Sequence, residues 1–210
     1  MKEMSMAAVA EEHIDHYDPE AAKIGMWLFL FTEALLFGML FLAFAVYLHM
    51  YRFEFVEGSR HLNRMMGTFN TAVLLTSSLT MALSIAALQR DKKKQSLLLM
   101  GVTILFAGVF LVVKAFEWGE KFHHDLYPKS PTLLQSPPGA QIFYGLYYTM
   151  TGFHALHIII GIFLISSAAL FVSKGSVHQQ RISYLENTGL YWHLVDLVWI
   201  FLFPLFYLIG

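Results

Sequence analysis

Apolar residues in this chain fall into five long blocks, about Ile24–Leu48, Gly67–Leu88, Leu97–Trp118, Ile142–Val172 and Leu190–Ile209, separated by shorter polar stretches. A helix needs about 20 predominantly apolar residues to cross a ~30 Å hydrocarbon core, and each block reaches that length. The pattern therefore predicts an all-α integral membrane bundle of five transmembrane helices. The fourth block would reach ~45 Å at 1.5 Å per residue, so its first turns, with Tyr144, Gly145, Tyr147 and Tyr148, are expected in the interface rather than in hydrocarbon. Before the first block the chain is acidic (Glu3, Glu11, Glu12, Asp15, Asp18, Glu20) and carries no apolar core. Residues 1–22 read as a polar cytoplasmic tail without a secretory leader, and 23–210 as a single membrane domain.

Loop charge sets the expected orientation. The connection after the second block, Arg90-Asp91-Lys92-Lys93-Lys94, is the densest basic cluster. Short basic loops stay cytoplasmic, which places the N-terminus in the cytoplasm and the C-terminus in the periplasm. Arg52, Arg60 and Arg64 weigh the other way in the first outer loop. The one sizeable connection, Gly119–Gln141, holds His123-His124 and a proline-rich end (Pro128, Pro131, Pro137-Pro138) that stops the third helix and spaces the fourth. Small residues along the second block (Ser77, Ser78, Ala82, Ser84, Ala86, Ala87) would permit close helix contact.

Composition agrees: 57% of residues are hydrophobic, 14% are charged, and the mean hydropathy is +0.54. A net charge of -1 gives no reason to expect nucleic acid. Cysteine is absent, so disulfides, thiol nucleophiles and thiolate metal sites are excluded.

The candidate chemistry lies in the polar groups sunk in the blocks. A charged side chain at the centre of a bilayer costs about 2.5–3.5 kcal/mol on insertion scales, so such groups are expected to face protein. Glu33 falls ~13 Å into the first helix. It reads either as a carboxyl hydrogen-bonded to a neighbouring helix or as a proton-handling acid. His154 and His157 are spaced i, i+3, as are His193 and Asp196. Together they suggest either a metal or haem site or a set of interhelical hydrogen bonds, and the second fits the residue pattern better. A di-metal bundle would need two Glu-x-x-His elements and two further Glu. Glu120-Lys121-Phe122-His123 is the only close match and lies in an outer loop. Asp196 would accept from an imidazole and fix its tautomer. Lys114, Glu117 and Lys121 form a charge ladder at the outer end of the third helix, with Lys114 expected to snorkel outward. No nucleophile–base pair and no redox centre is visible.

The ordered motifs resemble those of haem–copper oxidase subunit III, the cytochrome c and quinol oxidase subunit 3 family. Gly25-Met26-Trp27-Leu28-Phe29-Leu30-Phe31-Thr32-Glu33 is similar to the helix that carries the family's intramembrane glutamate. Phe69-Asn70-Thr71-Ala72-Val73-Leu74-Leu75-Thr76-Ser77-Ser78 and Ala115-Phe116-Glu117-Trp118-Gly119-Glu120 resemble the next two. Thr151-Gly152-Phe153-His154-Ala155-Leu156-His157-Ile158-Ile159-Ile160-Gly161 is the most specific match, followed by Glu186 and Tyr191-Trp192-His193-Leu194-Val195-Asp196-Leu197-Val198-Trp199. The resemblance is to the five-helix bacterial form, which lacks the two N-terminal helices of the mitochondrial type. It departs after Glu33, where Leu42 and Val46 stand in place of a Trp and a His.

The resemblance implies an accessory subunit of a terminal respiratory oxidase in the bacterial inner membrane. Such a chain holds no cofactor of its own. Haem and copper belong to its partners, the catalytic subunit I and subunit II, with bound phospholipid and membrane lipids as further company. It would stabilise the catalytic subunit and support proton uptake. Glu33 would match the family's carbodiimide-reactive glutamate, and His154, His157, Glu186, His193 and Asp196 its remaining polar signature. Two alternatives stay open from sequence alone: a related accessory protein of nitric oxide reductase, and a self-contained membrane haem or metal protein using the histidines.

Overall fold

The computed structural model describes residues 19–123, 125–178 and 182–210. Most of the expected polar tail, and His124, lie outside them. All regular structure among the described residues is helical: α1 (Pro19–Met50), α2 (Arg52–Arg60), α3 (Arg64–Gln89), α4 (Lys93–His123), α5 (Pro131–Leu134), α6 (Pro138–Lys174) and α7 (Ser183–Tyr207). Five of these, α1, α3, α4, α6 and α7, are long and apolar enough to cross a membrane. They correspond in order to the five apolar blocks. Each extends a few residues beyond its block at one or both ends, and α1 begins at Pro19, inside the stretch read as tail. Helices outrun their apolar segments because the terminal turns stand in the headgroup region, where polar side chains are welcome.

Local signals set most boundaries. The Asn63 side chain caps α3 by accepting from the Met66 amide at 3.2 Å. Ser130 caps α5, with Pro131 at its first position. Pro138 opens α6, and Gly175, at φ +79°, ends it in the left-handed conformation that glycine adopts without a Cβ clash.

The helices share the burden of packing unequally. In α7, 50% of the most apolar window is buried, against 17% in α1. Helix α7 is therefore the central post: α3 and α6 pack on it, α4 closes the far side against α3 and α6, and α1 leans on α6 and α7 from outside. The fully buried aromatic core (Trp192, Trp199, Tyr147, Tyr207, Phe110, Phe206) is shared by α4, α6 and α7.

Helix α6 has 37 residues, ~55 Å of helix, well beyond the hydrocarbon. Its excess is sheathed at one end by α2, a nine-residue helix that hydropathy does not reveal. The fit is tight. A Cβ at Gly58 would lie 2.5 Å from the Phe143 ring, and one at Gly139 2.7 Å from the Cβ of Tyr51. In this stretch the tyrosines pack against protein: Tyr147 is fully buried and Tyr144 nearly so. Both turn inward because α2 and α4 cover that stretch of α6.

Candidate functional site: a column of polar groups inside the bundle

The intramembrane polar residues form a series of contacts running the length of the bundle. At the end carrying the N-terminus, Lys23 of α1 meets Glu186 of α7 at 3.4 Å. Glu186 also accepts from Gln89 Nε2 of α3 at 3.5 Å. One helix is thus gripped by two others near the membrane surface.

Deeper in, Glu33 Oε2 lies 2.9 Å from His157 Nε2, joining α1 to α6. The opposite ring nitrogen fixes the proton count. His157 Nδ1 is 2.7 Å from the Phe153 carbonyl; a carbonyl only accepts, so Nδ1 carries hydrogen. One further proton must lie between Nε2 and Oε2, whichever atom holds it. The pair is net neutral in both arrangements, which is what a low-dielectric site favours. Tyr191 of α7 donates to the His157 carbonyl at 3.1 Å. The expectation that Glu33 bonds a neighbouring helix agrees with this geometry. Glu33→Gln keeps a donor for a neutral His157 Nε2, whereas Glu33→Ala leaves the imidazole unpaired at a loss of about 1–3 kcal/mol. We expect the first variant to assemble as wild type and the second to show a lower yield of intact complex on detergent purification.

Next along the column, His193 Nδ1 is 2.7 Å from Ser78 Oγ of α3, and Trp192 Nε1 donates to Ser77 Oγ at 3.1 Å. About two turns on, Trp199 Nε1 donates to Thr71 Oγ1 at 3.0 Å. Ser77 and Ser78, expected only to let helices approach, are the hydrogen-bond partners that key α7 to α3. Asp196 does not accept from an imidazole as expected, because Ser78 has taken His193. Its carboxyl is 3% exposed, and neither oxygen completes a hydrogen bond.

His154 also departs from expectation. Instead of an interhelical hydrogen bond it has a stack: its ring lies 5.1 Å from Trp199 at 28° and edge-on to Phe110 at 5.4 Å, with both nitrogens unpartnered. The i, i+3 spacing explains the difference from His157. Three residues rotate by about 300° on a 3.6-residue helix, so the two rings diverge by about 60°, one toward α1 and the other toward α4 and α7.

At the far end, Lys114, Glu117, Tyr147 and Tyr207 form a closed cluster. Lys114 Nζ is 3.0 Å from Glu117 Oε2, 3.1 Å from Tyr147 OH and 2.7 Å from Tyr207 OH. Both hydroxyls lie close to Glu117, Tyr147 donating at 2.8 Å and Tyr207 at 2.6 Å to Oε1. Lys114 does not snorkel. It is 3% exposed, because a carboxylate and two hydroxyls satisfy the ammonium where it is. Lys121, likewise buried, donates to the His61 carbonyl at 3.2 Å and ties α4 to the end of α2. The tyrosines lie 33 and 93 residues from Lys114 in sequence, and only their place in apolar helices hinted at a role.

His154, His157, His193 and Asp196 do not converge: the three imidazoles face different neighbours, and Asp196 completes no hydrogen bond. Among the described residues no three His, Asp or Glu side chains form a group able to hold a metal ion. What these contacts do is register the helices against one another.

One surface feature lies beside the column. Two cavities, about 390 and 450 Å³, share Ala45, Leu48 and Ile209 and form one groove between α1 and α7. Phe41, Phe201 and Leu205 wall its apolar length, and His49 and Arg52 stand at its polar end.

Comparison with known proteins matches this architecture to a family. The family described as cytochrome c oxidase subunit III matches residues 2–210. Cytochrome c oxidase subunit 3 of Synechocystis sp. is 32% identical over 201 residues, covering 95% of this chain and 80% of the relative. Cytochrome bo(3) ubiquinol oxidase subunit 3 of Pseudomonas aeruginosa is 28% identical, covering 96% and 92% respectively. A protein of Aeropyrum pernix named heme-copper oxidase subunit I+III is 28% identical over 211 residues, covering 94% of this chain and 24% of the relative. A whole-length family match, five membrane-spanning helices and relatives named as subunit 3 of terminal oxidases agree, and the chain belongs to the cytochrome c oxidase subunit III family.

Proposed function

We propose that this chain is the cofactor-free accessory subunit of a respiratory haem–copper oxidase, seated against subunit I with subunit II nearby, while haem and copper stay in those partners. The observation that carries this reading is the Aeropyrum pernix relative, whose name gives subunits I and III as one protein. A segment that another organism joins to its subunit I belongs beside a subunit I here. The broad apolar surface of α1 supports it. Trp27, Leu28, Phe31, Met39 and Leu42 are all more than 60% exposed, and such a surface needs lipid or another chain to cover it. The basic Arg90–Lys94 turn supports a bacterial inner-membrane orientation with that loop in the cytoplasm.

In this role the polar column keeps five helices in fixed register, giving the catalytic subunit a rigid flank, and its protonatable groups support proton uptake. A tag on this chain should co-purify a haem-bearing catalytic chain. Oxidase prepared without this chain should keep its haem but lose activity sooner during turnover. A tagged chain that draws down no haem protein from its native membrane would refute the assignment.

The α1–α7 groove supports a bound phospholipid. Arg52 makes no ion pair with a described residue, and it opens α2 just past the end of α1, the helix that carries Phe41. That placing suits an acyl chain along the apolar wall with its phosphate at the guanidinium. Ala45→Trp, which fills the groove, and Arg52→Glu, which repels phosphate, should each remove about one phospholipid per complex while haem content stays unchanged. Lipid extraction and phosphorus assay of the purified complex would read this.

A further inference from the structure

A third cavity lies at the other end of the bundle, about 340 Å³ in volume, between α1, α3 and α7. Lys23, Glu186 and Asn187 form its mouth, and His193 lines it deeper in. From Glu186 to His193 is seven residues of α7, ~10 Å of depth. A space with several polar groups on its wall and room for more than one molecule suits water.

Beyond the Lys23–Glu186 pair, His193 carries this lining on to the next contact of the column. Its Nδ1 meets Ser78 Oγ at 2.7 Å. Its Nε2 makes no hydrogen bond to a described residue and is not among the sealed polar atoms. Ser78 in turn lies beside the carboxyl of Asp196, one turn above His193 on α7. Both Asp196 oxygens lack a hydrogen bond in this arrangement, which leaves the carboxyl free to take one. Cavity, imidazole, hydroxyl and buried acid therefore stand in line, each in reach of the next.

We infer that this cavity is a water port through which His193 and Ser78 exchange protons with Asp196, making the buried acid a proton store filled from the N-terminal end of the bundle. The transfer balances with one proton. Hydronium in the cavity protonates Nε2 of a ring that carries hydrogen on Nδ1. The Nδ1 hydrogen passes to Ser78 Oγ as the hydroxyl's own hydrogen moves to the Asp196 carboxylate. One proton enters, one reaches the carboxylate, and the ring is left as the other tautomer. The reverse sequence returns the proton to water. The Lys23–Glu186 pair at the mouth is the remaining charge on the path, and it keeps that end hydrated. His154, on the far side of Trp199, has no contact with the port. This inference deepens the proton-handling part of the proposed function and rests on it.

The test is infrared spectroscopy of the purified complex transferred from H2O to D2O. A protonated carboxyl stretch that Asp196→Asn removes is expected, and in wild type it should shift to its deuterated position soon after transfer. Where the amide disturbs assembly, Asp196→Glu assigns the band by moving it. His193→Phe, which keeps a ring but has no nitrogen, should slow the shift by about a hundred-fold, the lower end of what a positioned acid–base group contributes to proton transfer. Ser78→Ala should slow it similarly. A complex with no carboxyl band sensitive to position 196 would overturn the proposal. So would a band that never exchanges, or one that exchanges equally fast in His193→Phe. Haem content of each preparation reports assembly separately, so a failure of the port is distinguishable from a failure of the accessory role.

Discussion

Glu117→Ala should be among the most damaging single substitutions in this chain, destabilising the bundle by about 3–5 kcal/mol. The carboxylate lies between Lys114, Tyr147 and Tyr207 in a site with no exposure. Removing it strands an ammonium among aromatic rings, where Lys114 Nζ is 4.8 Å from the Tyr147 ring centre and 5.2 Å from that of Trp199. Those ring faces and two hydroxyls attract a cation but do not neutralise it. The deficit comes from the orphaned charge, more than from the lost contact. The double substitution Lys114→Met with Glu117→Leu should therefore recover most of the loss, because the two tyrosine hydroxyls lie within reach of each other and can pair. The comparison is made by thermal unfolding of the purified complex. A double variant no better than Glu117→Ala would show that the charges are needed for something other than each other.

The second large effect is expected at Gly161, where α6 crosses α7. A Cβ there would lie 2.6 and 2.7 Å from two atoms of the Trp192 indole, and a rigid ring pinned by its hydrogen bond to Ser77 cannot step aside. Gly161→Leu should force the helices apart, adding about 1–3 kcal/mol of overpacking to the hydrogen bonds lost when Trp192 moves. A compensating change separates crowding from other causes. Trp192→Leu makes room, so Gly161→Ala with Trp192→Leu should assemble in better yield than Gly161→Leu, and Gly161→Ala alone should fall between wild type and Gly161→Leu. Assembled yield after detergent extraction is the measurement. Equal yields for Gly161→Leu and wild type would mean that the crossing is looser than its geometry.

The five spans were legible in the sequence because an apolar run of membrane length has few other uses. Helix α2 was not, since nine residues with no marked hydrophobicity give no periodic signal strong enough to read. The polar signature was legible as a set of residues but not as a set of contacts. Glu33 could be expected to find a partner, yet which histidine it takes depends on the ~60° between two rings on one helix face. Lys114 was misread for a related reason. Snorkelling is the default for a lysine near a helix end, and it is overridden only when groups from distant parts of the chain close over it. Tyr207 supplies that closure from 93 residues away. Asp196 and Ser78 show the same limit: spacing along α7 pointed to His193, but the hydroxyl from α3 arrived first.

The Glu33–His157 contact has a consequence for how the protein is made. Its two halves are separated by 124 residues, and ribosomes add about 5–20 residues per second. Glu33 is therefore synthesised roughly 6–25 s before its imidazole partner, and α1 enters the membrane without it. During that interval the acid faces lipid or an insertion factor, so the speed of translation decides how long the nascent chain stays vulnerable.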